Sequence, residues 1–184
     1  MLPTSKILWG EGLFLRPQHF QRQDAYHEAR LVEQARTLHP YAWGLRRLVV
    51  DTDALAANVL RLDELQLILP DGEQYAAPHA DPLPPPVSLQ SVPAAQSDLV
   101  LHAAMAALRP QGGNFTADTA QADGSTRYVQ TTAAATDWMT GAAAAPVSTL
   151  QRCLRLLPDD VEREHLVHMP LLRLRRAATG GFEV

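Results

Sequence analysis

Hydrophobic positions change their spacing along this chain. Between Ile7 and Phe20 they come in two clusters, Ile7-Leu8-Trp9 and Leu13-Phe14-Leu15, separated by Gly10-Glu11-Gly12. From Gln18 to Leu38 the period becomes helical: Ala25, Ala29 and Val32 fall at i, i+4 and i+7, and Leu31, Ala35 and Leu38 repeat that spacing. Gln21, Arg22, Asp24, Glu28, Glu33 and Arg36 make the opposite, solvated surface. Pro17 suits the first turn, and His39-Pro40 stops the helix near Thr37 to His39, because a residue before proline resists helical torsions.

After Trp43-Gly44 the period is two. Strands are predicted over Leu45 to Asp51 and Val59 to Leu69, where Leu65, Leu67 and Leu69 alternate with Gln66 and Ile68. Pro70-Asp71-Gly72 turns the second of these into a hairpin with Glu73 to Ala76. Asp98 to Leu108 places Leu99, Leu101, Ala103, Met105 and Ala107 on one face, and Pro110 to Asn114 ends it. Further strands are expected at Thr126 to Ala134, introduced by Asp123-Gly124, at Leu150 to Leu157, and at Leu166 to Arg176, whose Arg173 and Arg175 leave one face wet. Gly141 and Pro146 bracket Ala142 to Ala145 too tightly for more than a loop or one turn, and Gly180-Gly181 leads into a last short segment, Phe182 to Val184.

Six to eight strands behind one helix, with no helical crossovers between them, imply a mainly β fold, an antiparallel β-sandwich preceded by an N-terminal docking peptide and one α-helix. The division expected is a docking segment over 1–20, a helix over 21–40 and a sandwich over 41–184. An end in the middle of an apolar strand reads as the N-terminal part of something longer. The Pro78 to Pro86 stretch is extended and stiff, and reads as a rigid connector rather than a ligand for a proline-recognising module, since it lacks a flanking basic anchor.

Composition narrows the function. Lys plus Arg number 16 and Asp plus Glu 20, a formal charge of -4, which argues against a nucleic-acid partner. The single Cys153 excludes an internal disulfide and a multi-cysteine metal cluster, and Gly10-Glu11-Gly12 interrupts the apolar run that a signal peptide needs; both fit the cytoplasm. Pro17 and the charges of Glu11 and Arg16 likewise break the first apolar run before it reaches membrane-spanning length.

Candidates for chemistry are weak. His165 and His168 stand near Glu162 and Glu164, yet on a strand they point to opposite sides, and the order differs from the zincin His-Glu-x-x-His. His19 and His27 have no acid or cysteine to complete a metal set. Asp51, Asp53, Asp63, Glu64 and the pair Asp159-Asp160 sit at turns, where aspartate serves local hydrogen bonding. Cys153 belongs to a leucine-rich strand, the glycine pairs lack a phosphate-cradle context, and there is no Gly-x-Ser-x-Gly elbow. No catalytic residue, cofactor, metal or small-molecule substrate is therefore expected.

What stands out is the apolar leading segment. Trp9, Phe14 and Phe20 with their aliphatic neighbours supply the anchors a docking peptide needs to fill a partner's pockets; an intramolecular strap over the sandwich is the alternative. The run Leu8-Trp9-Gly10-Glu11-Gly12-Leu13-Phe14-Leu15-Arg16-Pro17-Gln18-His19-Phe20-Gln21, the helix containing Tyr26 and the later Leu83-Pro84-Pro85 closely resemble the start of the TssK family (ImpJ/VasE) of type VI secretion baseplate proteins. The resemblance is specific at the N-terminus, becomes general through the middle, and covers the first part of a family more than twice as long.

It implies a non-enzymatic bacterial cytoplasmic protein at a baseplate docked on the inner membrane, a homotrimer that links the phage-tail-like wedge to the membrane complex. It also implies a sandwich like the shoulder of siphophage receptor-binding proteins, with the neck and the membrane-complex-binding head lying in the C-terminal part. The family's N-terminal region faces the wedge subunits TssF and TssG, which assigns the contacts to Leu8, Trp9, Leu13, Phe14, Leu15, Pro17 and Phe20, with Gly10 and Gly12 permitting bends. A competing expectation is a carbohydrate- or peptide-binding sandwich using exposed Trp138, Tyr128 and Tyr75; a hydrolase relying on His165 is a third.

Overall fold

A computed structural model describes residues 5–118, 124–177 and 181–184. The chain divides into two compact units, Met1–Ala42 and Trp43–Val184. The first contains helix α1 (Pro17–Leu38), which starts at the proline and ends at the residue before His39, as the sequence pattern requires. None of its residues is fully buried; Ala25, Ala29, Val32 and Ala35 form a half-buried stripe, whereas Leu31 and Leu38 are exposed.

The second unit is a β-sandwich. One sheet has the order β1 (Gly44–Val50), β3 (Leu62–Ile68), β4 (Gln74–Ala77); the other has β10 (Arg155–Pro158), β6 (Asp98–Ala106), β11 (Leu166–Arg176), β12 (Phe182–Glu183). Leu65, Leu67 and Leu69 from the first sheet meet Leu101, Met105, Leu156 and Leu174 from the second in one apolar core. A small pair, β2 (Val59–Leu60) with β5 (Val87–Ser88), flanks it, and Leu60 and Leu89 join the same core.

Several expected strands are cut where a side chain has other work. Val59 to Leu69 divides at Arg61, and Asn58, just ahead of its first piece, has φ of 59°. Between the first two long strands lies a five-residue helix, α2 (Thr52–Ala56), that periodicity does not reveal: Asp51 Oδ1 accepts from the amides of Asp53 (3.0 Å) and Ala54 (2.9 Å), and its other oxygen pairs with Arg61. Leu150 to Leu157 divides at Cys153 and Leu154, both buried, so its first half belongs to β9 (Ala145–Arg152) and its second to β10.

β6 ends at Ala106, and both of its faces are covered. Leu99, Leu101, Ala103 and Met105 enter the core, while His102, Ala104 and Ala106 are buried on the other face of this central strand, which pairs with β10 along one edge and β11 along the other. A bulge between Pro170 and Leu172 shifts the register of β11, so Leu171 and Leu172 are both buried before the alternation of wet arginines begins. Asp123 and Gly180, expected at turns, lie outside the described residues.

The remaining sheet has the order β7 (Phe115–Thr116), β8 (Tyr128–Ala135), β9, with β7 and β8 parallel, the exception to the antiparallel rule. β8 and β9 pair along eight residues, from Tyr128 with Arg152 to Ala135 with Ala145, so Ala145 starts a strand instead of closing a turn. Ions fasten the base of this ribbon to the sandwich. Arg127, only 3% exposed, donates to Asp71 Oδ2 (2.7 Å), Glu73 Oε2 (2.8 Å) and the Ala106 carbonyl (2.9 Å). Arg152 donates to Glu73 Oε1 (2.7 Å) through its side chain and to Asp81 Oδ1 (2.8 Å) through its amide. Asp81 also accepts from the Ala76 amide (3.0 Å), which fixes the proline-rich connector between β4 and β5.

Candidate docking surface

The leading segment has a defined local shape. Gly12 has φ of 79°, a left-handed conformation costly for any side chain with a Cβ, and the Leu13 amide donates to the Gly10 carbonyl across the turn (3.3 Å). Gly10 contributes its carbonyl and is not in that left-handed region. At the helix start the Arg16 amide donates to His19 Nδ1 (3.0 Å) and the His19 amide to the Arg16 carbonyl (3.0 Å). His19 thus satisfies the chain at the helix entrance, where Pro17 has no donor to offer.

Trp9 folds back over this first turn. Its ring lies 6.1 Å from that of His19 and 6.5 Å from that of Phe20, centroid to centroid, both tilted. The stacking leaves Trp9 48% exposed, with Leu8 at 88% and Phe14 at 79%, and Leu13, Leu15 and Phe20 are also exposed. Pro17 stands in the first turn of the helix, as its sequence position suits, and Phe20, counted in the docking segment of 1–20, belongs to the same turn. Aromatic and aliphatic side chains thus stand in water from Leu8 to Phe20 on a segment whose turn and helix cap restrict its conformations. An ordered apolar patch of that kind is what a partner's groove can cover without ordering the whole peptide first.

The other candidates resolve into structure. His165 precedes β11 and His168 lies on it, so they do not form a helical pair. His168 Nδ1 meets His102 Nδ1 at 3.3 Å, and His102 Nε2 lies 2.8 Å from Asp159, which Arg163 also holds (3.2 Å). Burial, Arg163 and His102 push the His168 imidazole below its ordinary pKa. No group of three metal-ligating side chains occurs among the described residues. Asp51 and Glu64 are each ion-paired, with Arg61 and Arg47, and are held below the usual carboxylate range, Asp51 chiefly by the amide of Ala54 and Glu64 chiefly by Arg47.

Cys153 is buried, as its leucine-rich surroundings imply, but in the break between β9 and β10 rather than in a strand. The aromatic trio of the competing expectation does not share a surface: Tyr75 is 1% exposed with its hydroxyl donating to the Pro82 carbonyl, and Tyr128 is partly buried, donating to Glu73 (2.9 Å). Trp138 alone of the three is open to solvent. Arg127 escaped the sequence reading, because its partners lie more than 50 positions away, at Asp71 and Glu73.

Residues 19–184 match the sequence model of the family described as Bacterial Type VI secretion, VC_A0110, EvfL, ImpJ, VasE. This chain belongs to that family. The type VI secretion system baseplate component TssK1 of Pseudomonas aeruginosa is 31% identical over 157 residues, 85% of this chain and 34% of the relative. Among solved structures, a chain of the TssK-TssF-TssG baseplate subcomplex, determined by cryo-electron microscopy, superposes with a TM-score of 0.87 at 26% identity, covering 98% of this chain and 59% of its own.

A crystal structure of TssK gives 0.84 at 20% identity, covering 98% of this chain and 40% of its own, a likeness of fold. The chain therefore spans about a third of the curated relative. Within this type VI secretion family it carries the β-sandwich fold that the sequence pattern implies. Among the described residues no helix is long and apolar enough to cross a membrane.

Proposed function

We propose that this chain is a structural adaptor of a type VI secretion baseplate, not an enzyme, and that its N-terminal apolar segment docks onto the wedge subunits TssF and TssG. The observation that carries the reading is the exposure of Leu8, Trp9, Leu13, Phe14, Leu15 and Phe20 on a locally ordered turn and helix start. Membership of the family and the likeness to a chain of the TssK-TssF-TssG subcomplex support the choice of partner. In this reading the protein works as a homotrimer at the cytoplasmic face of the inner membrane. Residues 1–20 form the docking segment, the following helix to residue 40 leads into the sandwich of 41–184, and the membrane complex is reached through a C-terminal head.

The mechanism is adhesion. Apolar anchors leaving water contribute roughly 25 cal/mol per Å² of buried surface, and an assembly holding several copies at fixed separations multiplies a modest single-site affinity. Pull-down of co-expressed TssF and TssG tests it. Trp9→Ala with Phe14→Ala removes two anchors worth about 2 kcal/mol each at a hot spot, a combined loss of about 700-fold in affinity. The circular dichroism spectrum and melting temperature are expected to stay unchanged; undiminished wedge capture by a folded double variant would contradict the assignment.

A further inference from the structure

We propose that His168 is an acid-operated switch: near neutral pH its ring bonds that of His102, and on acidification it leaves His102 for the carboxylates of the loop between β10 and β11. Three elements meet there. His102, 8% exposed, stands on the outer face of the central strand β6, His168 on β11, and Asp159 and Arg163 on the loop that leaves β10. The two rings meet edge to face, 5.3 Å apart at their centroids. Arg163 donates to Asp159 (3.2 Å) and to the Pro158 carbonyl (2.7 Å), which fixes the shape of the loop around them.

The protons of the pair can be counted. Asp159 Oδ1 lies 2.8 Å from His102 Nε2, and a carboxylate only accepts, so that nitrogen carries a proton. Between the two Nδ1 atoms, 3.3 Å apart, there is then room for one proton. A neutral pair meets this condition with His168 as the donor. A singly charged pair meets it too, because the added proton sits either on His168 Nε2 or on His102, which then donates from both nitrogens while His168 accepts. A doubly charged pair does not: both Nδ1 atoms carry hydrogens, the bond is lost, and like charges face each other. His102 stays, since its other nitrogen remains tied to Asp159, and His168 is the ring that moves.

The charges around His168 oppose one another. Burial first, then Arg163 and His102, hold its imidazole below its ordinary pKa. Arg155 of β10 shares a row with His168 across Ala104 of β6. The pull in the other direction comes from the loop, whose Asp160, Glu162 and Glu164 line one shallow hollow with His168. His165, exposed beside them, keeps its carbonyl on the Ala107 amide (3.3 Å). Because the bonded ring binds a proton more weakly than a free imidazole, falling pH favours the released form below about pH 6.5. A charged His168 gains in the hollow the partners that it loses at His102. Acidification thus reshapes the loop and neutralises part of its acidic surface, whether or not the chain is an adaptor.

Solution NMR of the chain between about pH 8 and about pH 5, a range in which ordinary carboxylates stay charged, decides it. Ring-proton contacts between His102 and His168 are expected at the alkaline end and are lost with a midpoint between about pH 5 and 6.5, and the amide signals of the loop move with the same midpoint. Rings still in contact at about pH 5 overturn the proposal. His168→Asn puts an amide where Nδ1 stood; it donates or accepts but does not titrate, so the loop signals are expected to hold still. The same acid shift in a folded His168→Asn would overturn the switch. If that variant unfolds, Glu162→Gln with Glu164→Gln, both exposed, decides instead. Loss of these carboxylates is expected to lower the midpoint by about 0.5 of a pH unit or more, and an unchanged midpoint overturns the proposal.

Discussion

Arg127 shows how one side chain positions an element. Its guanidinium bridges the β3–β4 turn, the end of β6 and the start of β8, while Arg152 completes the cluster from the end of β9. Burial alone would push the Glu73 carboxyl up, but Arg152 and Arg127 outweigh it and hold Glu73 below its ordinary value. A carboxyl depressed in the folded state contributes stability that is full above its unfolded pKa, about 4.3, and that is lost as pH falls through the folded value. Melting temperature is therefore expected to drop on acidification from about pH 5 downward, as the cluster takes up protons.

Arg127→Met leaves Glu73 and Asp71 short of their partner and is expected to cost about 3 to 5 kcal/mol at neutral pH by chemical denaturation, with a shallower acid dependence. A variant within about 0.5 kcal/mol of wild type would show the cluster to be incidental. None of this was legible in the sequence, where Arg127 is one polar position near the start of the strand expected over Thr126 to Ala134. The aspartates were legible in kind: Asp51 was expected to do local hydrogen bonding at a turn, and it caps a helix.

At the scale of elements, the sequence carried most where one period persisted. Helix α1 and strands β3, β6 and β11 follow from spacing, and Leu65, Leu67 and Leu69 are buried as alternation requires. It carried less where a strand had to break, as at Cys153 and Leu154, and the one-sided spacing of β6 did not foretell that His102, Ala104 and Ala106 on its other face are buried as well. Ala142 to Ala144 lie outside any strand, as expected of a loop, and Ala145 departs because the bracketing residues say nothing about its pairing with Ala135 of β8. The five-residue α2 depends on its cap, since so short a helix cannot sustain itself. Asp51→Ala removes both amide bonds and the ion pair with Arg61, and is expected to cost about 1 kcal/mol or slightly more by urea unfolding. No measurable change would mean that packing of Leu55 in the core holds the turn without its cap.

For the whole molecule, the sandwich and the family were both within reach of the sequence, but by different routes. Strand patterning and turn residues gave the fold class, whereas Leu8 to Gln21 carried the family likeness; the family's sequence model covers 19–184 and the Pseudomonas aeruginosa relative 85% of this chain. The candidate site was legible as a composition: the segment from Leu8 to Phe20 is exposed, as a docking peptide must be. Its shape was not, because neither the packing of Trp9 on His19 and Phe20 nor the capping by His19 follows from apolar content.

The central claim is that this leading patch is covered by the wedge. Amide hydrogen exchange of the chain, alone and with purified TssF and TssG, tests it most directly. Slowed exchange confined mainly to residues 5–20 on adding the wedge is the expected result; unchanged exchange there, with protection appearing only on the sandwich, would contradict it.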